Sequence, residues 1–386
     1  MWPHVALDEL CEINVGRTPA RANSEYWGEG ESWLSIADMR QGREINWTKE
    51  KITALGASGG RRTAPGTVLL SFKLSIGKVS RAGIPLYTNE AIAALPIRRP
   101  DLITEEYLCR ALERADLSGD SNRAAMGATL NKAMLKRIQI LVPPLNEQRR
   151  IAAILDHADA LRAMRRQVLT HLDSLPQSIF HDMFGDPDEA NETVPFGEVT
   201  ALAGGRSLVA DDSAAHSEYR VLKISAVTTG QFKPGESKSL PTGYVPPTGH
   251  LVRSGDLLMS RANTTELVGA VAYVVATPPN LALPDKVWRF EWKVDAQPIY
   301  WHALLSTPTI RRRISRLSSG TGGSMKNIAK AKLETMPVPR ISVGRQREFA
   351  VRAAKVSQRG ANMRRLRNLE DELFASLQAR AFRGEL

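Results

Sequence analysis

The sequence predicts an α+β fold: two similar domains separated by a pair of long antiparallel helices, a coiled-coil spacer. Three observations predict it. An amphipathic stretch of nearly forty residues lies near the middle of the 386-residue chain, a second lies at its C-terminal end, and a set of short motifs occurs twice in the same order. The expected boundaries are 1–145 for the first domain, 146–185 for the first long helix, 186–342 for the second domain and 343–386 for the second long helix.

The first domain mixes strand and helix signals without a βαβ rhythm. Ser32–Met39 reads as a strand and a turn, Gly66–Gly83 as a turn and an apolar hairpin, and Ala91–Ile97 as a further strand. Tyr107–Arg114 looks helical, Gly119–Asn131 is a polar loop of small residues, and Leu135–Val142 is strand-like. Pro143 and Pro144 then end the ladder, because proline donates no backbone hydrogen bond.

The first long helix carries apolar residues in alternating steps of three and four. Its predicted seam is Ile151, Ile154, Ala158, Leu161, Arg165, Val168, Leu172, Leu175 and Ile179, with Arg165 the one polar member. At 1.5 Å per residue it would run to roughly 55 Å, with a kink expected at Pro176. A stripe of that length needs a partner. The C-terminal stretch offers Phe349, Val356, Met363, Leu366, Leu369, Leu373 and Leu377, and an intervening domain makes an antiparallel pair the easiest chain path.

The segments repeat after a Gly-, Pro- and acid-containing linker. Leu34 and Ile36 are answered by Leu222 and Ile224, 188 positions on, and Gly66 and Ser71 by Gly255 and Ser260. Leu135 is answered by Leu333 and Gln148 by Gln346, both 198 on. The drift is that of loops carrying insertions, and the shared order points to an internal duplication.

Composition and motif searches narrow the function. Lys and Arg number 52 against 41 Asp and Glu, a formal charge of +11 that suits a polyanionic partner. Cys11 and Cys109 are the two cysteines and make no CxxC pair, so neither a disulfide framework nor a cysteine-rich zinc site is expected. There is no signal-peptide pattern and no apolar run approaching a membrane span, so a soluble cytoplasmic protein without a membrane partner is the expectation. Asp285, Glu291 and Lys293 share one strand parity, like an acid-and-lysine nuclease set, but Val287 and Arg289 fall on the same face while Trp288, Phe290 and Trp292 fill the other. Ser75–Ser80 lacks the glycine and hydroxyl residue of a phosphate-binding loop. His157, His171 and His181 stand too far apart for a helical metal pair. No catalytic or metal site is expected.

A duplicated, basic scaffold without catalytic motifs suits reading double-stranded DNA, where two domains address two short sites about one turn apart. Candidate contacts in the first domain are Arg40, Gln41, Arg43, Lys73, Lys78 and Arg123. In the second they are Lys223, Thr228, Ser260, Arg261, Asn263, Ser324, Lys326 and Asn327. The run Arg311, Arg312 and Arg313, closed by Arg316, is the strongest phosphate candidate.

The segment VPPLNEQRRIAAILDHAD (Val142–Asp159) resembles the junction between a target-recognition domain and the first conserved helix in specificity subunits of type I restriction–modification systems. GTVLLSFKLSIGKVS, GDLLMSRANTTELVGAVAYV and SSGTGGSMKNIAKAKLETMPVP resemble pieces of the recognition domains of that family. The second junction departs from the pattern, with Gly344 and Arg345 where Asn146 and Glu147 stand in the first. The resemblance implies that each domain reads one half of a bipartite, asymmetric DNA target and that the helices set the spacing. It implies that two modification (methyltransferase) subunits, which carry S-adenosylmethionine, and restriction (translocase and endonuclease) subunits assemble on this chain. It also implies that the chain itself binds no cofactor. A modification-only system is an alternative, as are a helical adaptor that never touches DNA and a free-standing nuclease using Asp285, Glu291 and Lys293.

Overall fold

The computed structural model describes residues 2–115, 117, 130–206, 218–320 and 326–386. Arg123, Ser324 and most of the loop expected at 119–131 lie outside the described residues. Two compact units emerge, one of Met1–Met164 with Arg367–Leu386 and the other of Arg165–Leu366. This cut differs from the boundaries read in the sequence because each long helix shares its residues between the units.

The first unit holds a five-stranded sheet in the order Asn14–Val15, Ile92–Leu95, Val68–Ser71, Val79–Ala82, Glu44–Ile45. Its central strands, Val68–Ser71 and Ile92–Leu95, are buried at every position, which explains their unbroken apolar sequence. A second sheet sets Trp27–Leu34 between antiparallel Glu50–Ile52 and parallel Tyr87–Thr88. The helix Glu105–Arg114 starts at Thr104, whose hydroxyl accepts the Tyr107 N–H at 3.3 Å. Leu135, expected in a strand, lies instead in a short helix, Lys132–Arg137. Asn131 caps that helix by accepting the Met134 N–H at 2.9 Å, and the strand begins only at Gln139.

The second unit repeats this plan. Thr200–Gly204, Val287–Trp292, Leu257–Ser260 and Val271–Tyr273 form its larger sheet, and Arg220–Leu222 lies between antiparallel Ser237–Ser239 and parallel Leu281–Ala282. Gly66 and Gly255 both turn the chain into the central strand with positive φ (84° and 93°), donating to Ala82 and Val274 carbonyls at 2.7 and 2.8 Å. A separate antiparallel pair closes each unit: His4–Ala6 with Gln139–Leu141, and Thr193–Pro195 with Pro337–Pro339.

Each long helix is tied to its unit by one buried amide. Gln148 accepts the Thr104 N–H at 3.0 Å and donates to the Leu102 and Pro143 carbonyls at 2.6 and 2.8 Å. Gln346 accepts the Gln297 N–H at 3.1 Å and donates to the Ile341 carbonyl at 2.8 Å. In both cases the side chain satisfies an N–H at the start of an earlier helix, Glu105–Arg114 or Pro298–Ser306, and a carbonyl just before its own.

The long helices run Leu145–Phe184 and Val343–Ala381, and the first is continuous through Pro176. In the first unit, Arg150 donates to the Leu386 carbonyl and Arg162 pairs with Asp371, both at 2.5 Å, so the two segments run antiparallel. In the second unit, Arg364 pairs with Asp173 at 2.6 Å, while Phe180 meets Phe349 edge-on with centroids 5.6 Å apart, again antiparallel.

The buried face is not the one the apolar count selects. Ile151, Leu155, Leu169 and Phe180 are buried, and Ile154, Ala158, Arg162, Arg165, Leu172, Pro176 and Ile179 are half-buried. Leu161, Val168 and Leu175, expected in the seam, are 47%, 42% and 40% exposed. The steps therefore alternate four and three from Ile151, one residue on from the expected set at every second position. In the other helix Phe349, Ala353 and Gly360 are buried, and Val356, Met363, Arg367, Glu370, Phe374 and Leu377 half-buried. Leu366, Leu369 and Leu373 are exposed by 46%, 54% and 59%. Both helices carry two adjacent apolar stripes. The domain cores choose between them, because Ile151 and Leu155 belong to the first core and Phe180, Phe349 and Ala353 to the second. Replacing Leu155 or Leu169 with Asp is expected to destabilise the chain by on the order of 3 kcal/mol in urea unfolding. Leu161→Asp is expected to fall within about 0.5 kcal/mol of the parent, and the opposite ranking would restore the sequence-derived seam.

Candidate nucleic-acid interface

In the second unit, the strand Leu257–Ser260 ends in a loop whose neck is closed by Gly269 N–H to Ser260 carbonyl at 2.8 Å. Ala262–Asn263 then pairs with Lys326–Ile328, which also pairs with Ser318–Ser319. The Asn263 amide donates to Thr228 Oγ1 at 3.3 Å and reaches Ser260 Oγ at 3.5 Å. Six residues picked from the sequence are thus brought together: Thr228, Ser260, Arg261, Asn263, Lys326 and Asn327. They do not share one role. Ser260 is wholly buried and donates to the Ala262 carbonyl at 3.2 Å, and Thr228 donates to the Ile224 carbonyl at 2.8 Å, so these two shape the loop. Arg261 and Asn327 are exposed, and the Lys326 ammonium donates to the Gly320 carbonyl at 2.8 Å. Lys223 is exposed just ahead of the turn Ile224–Ala226.

The first unit builds the same neck. Gly77 N–H reaches the Ser71 carbonyl at 2.9 Å, and buried Ser71 accepts the Lys78 N–H at 2.9 Å. The loop carries Lys73, whose ammonium stands 5.4 Å from the Phe72 ring, and Lys78, which donates to the Ile36 carbonyl at 3.1 Å beside the turn bearing Arg40 and Gln41. Arg40 is exposed, and Gln41 is held by its amide to the Trp47 carbonyl at 2.8 Å. Between the lysines, Leu74 adopts φ 62° and is 85% exposed. Pattern reading passed over Leu74, because an apolar residue in an apolar hairpin sequence gives no sign of facing outward.

Arg43 does not belong to this loop surface. It pairs with Glu113 at 2.9 Å, Asp159 at 3.4 Å and Asp156 at 3.6 Å, next to Arg110, which is 1% exposed and pairs with the same three carboxylates. This half-buried cluster around Arg110 fastens Glu105–Arg114 to the first long helix, and the Arg43 guanidinium is engaged there with carboxylates.

The arginine run also divides. It lies on the helix Pro308–Leu317, where consecutive residues point about 100° apart. Arg311 is half-buried, donates to the Glu266 carbonyl at 2.9 Å, and has its pKa pulled below the ordinary guanidinium value by burial. Arg313 pairs with Asp188 and donates to the Pro337 carbonyl at 3.0 Å. Arg312 and Arg316 face solvent.

Asp285, Glu291 and Lys293 form no catalytic constellation. Lys293 donates to the Gly197 carbonyl at 2.7 Å, Glu291 stands 3.7 Å from Arg289, and Trp288 and Phe290 pack into the second core. Among the described residues there is no group of three or more His, Cys, Asp or Glu placed to hold a metal, and no helix is long and apolar enough to cross a membrane.

If Arg312 and Arg316 touch phosphates, replacing both with Ala should lower the slope of log affinity against log salt by roughly 2, at about 0.9 per contact. Arg313→Ala should leave that slope unchanged. Equal slopes for the double variant and the parent would remove this helix from the DNA surface.

The family model for type I restriction modification DNA specificity domains matches residues 1–172. The chain is 27% identical over 192 residues to the MjaIX specificity subunit of Methanocaldococcus jannaschii, spanning 48% of this chain and 44% of that protein. It is 24% identical over 343 residues to the EcoKI specificity subunit of Escherichia coli K12, spanning 81% and 72%. The match thus spans less than half the length of the first relative and more of the second. The fold is shared with a type I restriction–modification S subunit from M. genitalium, at TM-score 0.56 and 13% identity over 99% of this chain and 96% of that one. It is also shared with a chain from a structure of type I restriction–modification complex assembly, at TM-score 0.60 and 16% identity over 100% and 98%.

Proposed function

We propose that this chain, which matches the type I restriction–modification specificity subunits in family model, relatives and fold, is the non-catalytic DNA-specificity subunit of such a complex. The observation that carries the reading is the repeated neck. Each unit closes a loop on a buried serine, Ser71 or Ser260, and mounts basic and polar side chains on it. A scaffold that repeats one loop twice is suited to a bipartite target, with Lys73, Lys78 and Arg40 addressing one half and Arg261, Asn263 and Asn327 the other.

The exposed stripes supply a place for partners. The first unit shows Leu161, Met164, Leu369 and Leu373 to solvent, and the second shows Val168, Leu175, Val351 and Leu366. Apolar helix faces of this kind suit helices of another protein, and their occurrence in both units fits two copies of one modification subunit. Those subunits would carry S-adenosylmethionine and methylate an adenine in each half-site, with restriction subunits joining them.

In this reading the recognition domains are residues 1–145 and 186–342, and the paired helices act as the ruler between half-sites. Inserting one heptad in register into each helix adds about 10 Å. At about 3.4 Å per base pair, the gap in the methylated sequence should widen by roughly three base pairs with both half-sites unchanged. Mapping methyladenine in DNA modified by the assembled complex is the readout. An unchanged gap would remove the helices as the ruler, and single-site methylation would overturn the bipartite reading.

A further inference from the structure

The duplication makes each unit a control for the other. Val142 N–H donates to the Pro3 carbonyl in the first unit, and Arg340 N–H to the Glu192 carbonyl in the second, both at 2.9 Å. Pro3 therefore matches Glu192, and Trp2 matches Asn191. Each unit also receives the end of a long helix, an aromatic residue followed closely by a glycine of positive φ: Phe382 and Gly384 (74°), or Phe184 and Gly185 (70°). Phe382 packs on Tyr107 with centroids 5.7 Å apart, and Phe184 on Tyr300 at 5.1 Å.

The two units differ in what fills the space beside that glycine. In the first, the Trp2 indole packs on the core and lies so near Gly384 that a Cβ there would meet the ring at 3.2 Å. In the second, the matching residue is Asn191, and a cavity of about 400 Å³ is left, lined by Glu189, Asn191, Glu192, Arg340 and Arg345 together with Phe184 and the buried rings of Phe180 and Tyr300. The Arg345 guanidinium stands 5.1 Å from the Phe184 ring. A second difference goes with the first. The Tyr107 hydroxyl donates to the Leu141 carbonyl at 2.9 Å, whereas the Tyr300 hydroxyl is buried without a partner.

We propose that this cavity is a socket for an aromatic side chain, tryptophan above all, presented by a partner protein that docks on the second unit alone. The occupant's chemistry is read from the first unit, which fills the matching place with an indole carried on an adjoining backbone. Of the lining rings, Phe180 and Tyr300 are buried, so the half-buried Phe184 ring and the Arg345 guanidinium beside it are what the socket presents to such a guest. A tryptophan seated in a walled pocket is also the usual anchor of a protein interface. The inference does not depend on the DNA reading.

N-acetyl-tryptophanamide titrated into the full chain, followed by calorimetry, tests it. One saturable equivalent is expected, lost in Asn191→Trp, where the chain's own indole takes the place. Trp2→Asn should open the matching space in the first unit and raise the count to two equivalents. Absence of saturable binding, binding that survives Asn191→Trp, or a single equivalent in Trp2→Asn would each overturn the proposal. Adenosine, a planar probe that is not an amino-acid side chain, should bind more weakly than the tryptophanamide. Tighter binding of adenosine would overturn the assignment to a protein partner.

Discussion

The structure depends on a buried glutamine used twice. Where the chain passes from a domain into a long helix, the residues just before it leave carbonyls outside any regular ladder, and a neighbouring helix begins with an N–H that has no partner of its own. Gln148 and Gln346 answer this by bonding across to the first residues of a neighbouring helix, in geometries that match within about 0.1 Å in the shared contacts. The direction in which each long helix leaves its unit is thereby fixed by a side chain with no charge to be screened. Were the amide replaced by an apolar residue, two or three buried backbone groups would lose their partners, each at about 1–3 kcal/mol.

Much of the architecture was legible in the sequence. Leu34 and Leu222, Gly66 and Gly255, Ser71 and Ser260, and Leu135 and Leu333 occupy matching places in the two units, so short ordered matches identified the duplication. Helix length was legible too, since the apolar periodicity continues on both sides of Pro176 and of Gly360. What pattern reading missed was the rotation of the helices. An apolar count weighs Leu161 or Leu373 as seam residues on their own merits, but the angle at which a helix turns its faces is set where its end enters a core. Ala353 and Gly360 are buried on the inner face although a hydrophobicity count scores them low.

The candidate contacts were less legible, for an electrostatic reason. Sequence shows a positive charge but not its counter-charge. Arg43 looks like a loop cation until Asp156 and Asp159 arrive from a helix more than a hundred residues away. Arg311 and Arg313 likewise meet a carbonyl and a carboxylate that no local spacing announces. Lys73, Arg40 and Arg261 pair with no carboxylate among the described residues and are left for a polyanion.

The second unit is one continuous segment, Arg165–Leu366, whereas the first is closed by Arg367–Leu386. Ala381 is buried in the first core, and Phe382 packs against Tyr107. On a ribosome the segment translated first is therefore the one completed last. The second unit has its whole sequence available earlier, while the first waits with part of its core uncovered. Loss of residues 367–386 would therefore strike the domain from which they are farthest in sequence.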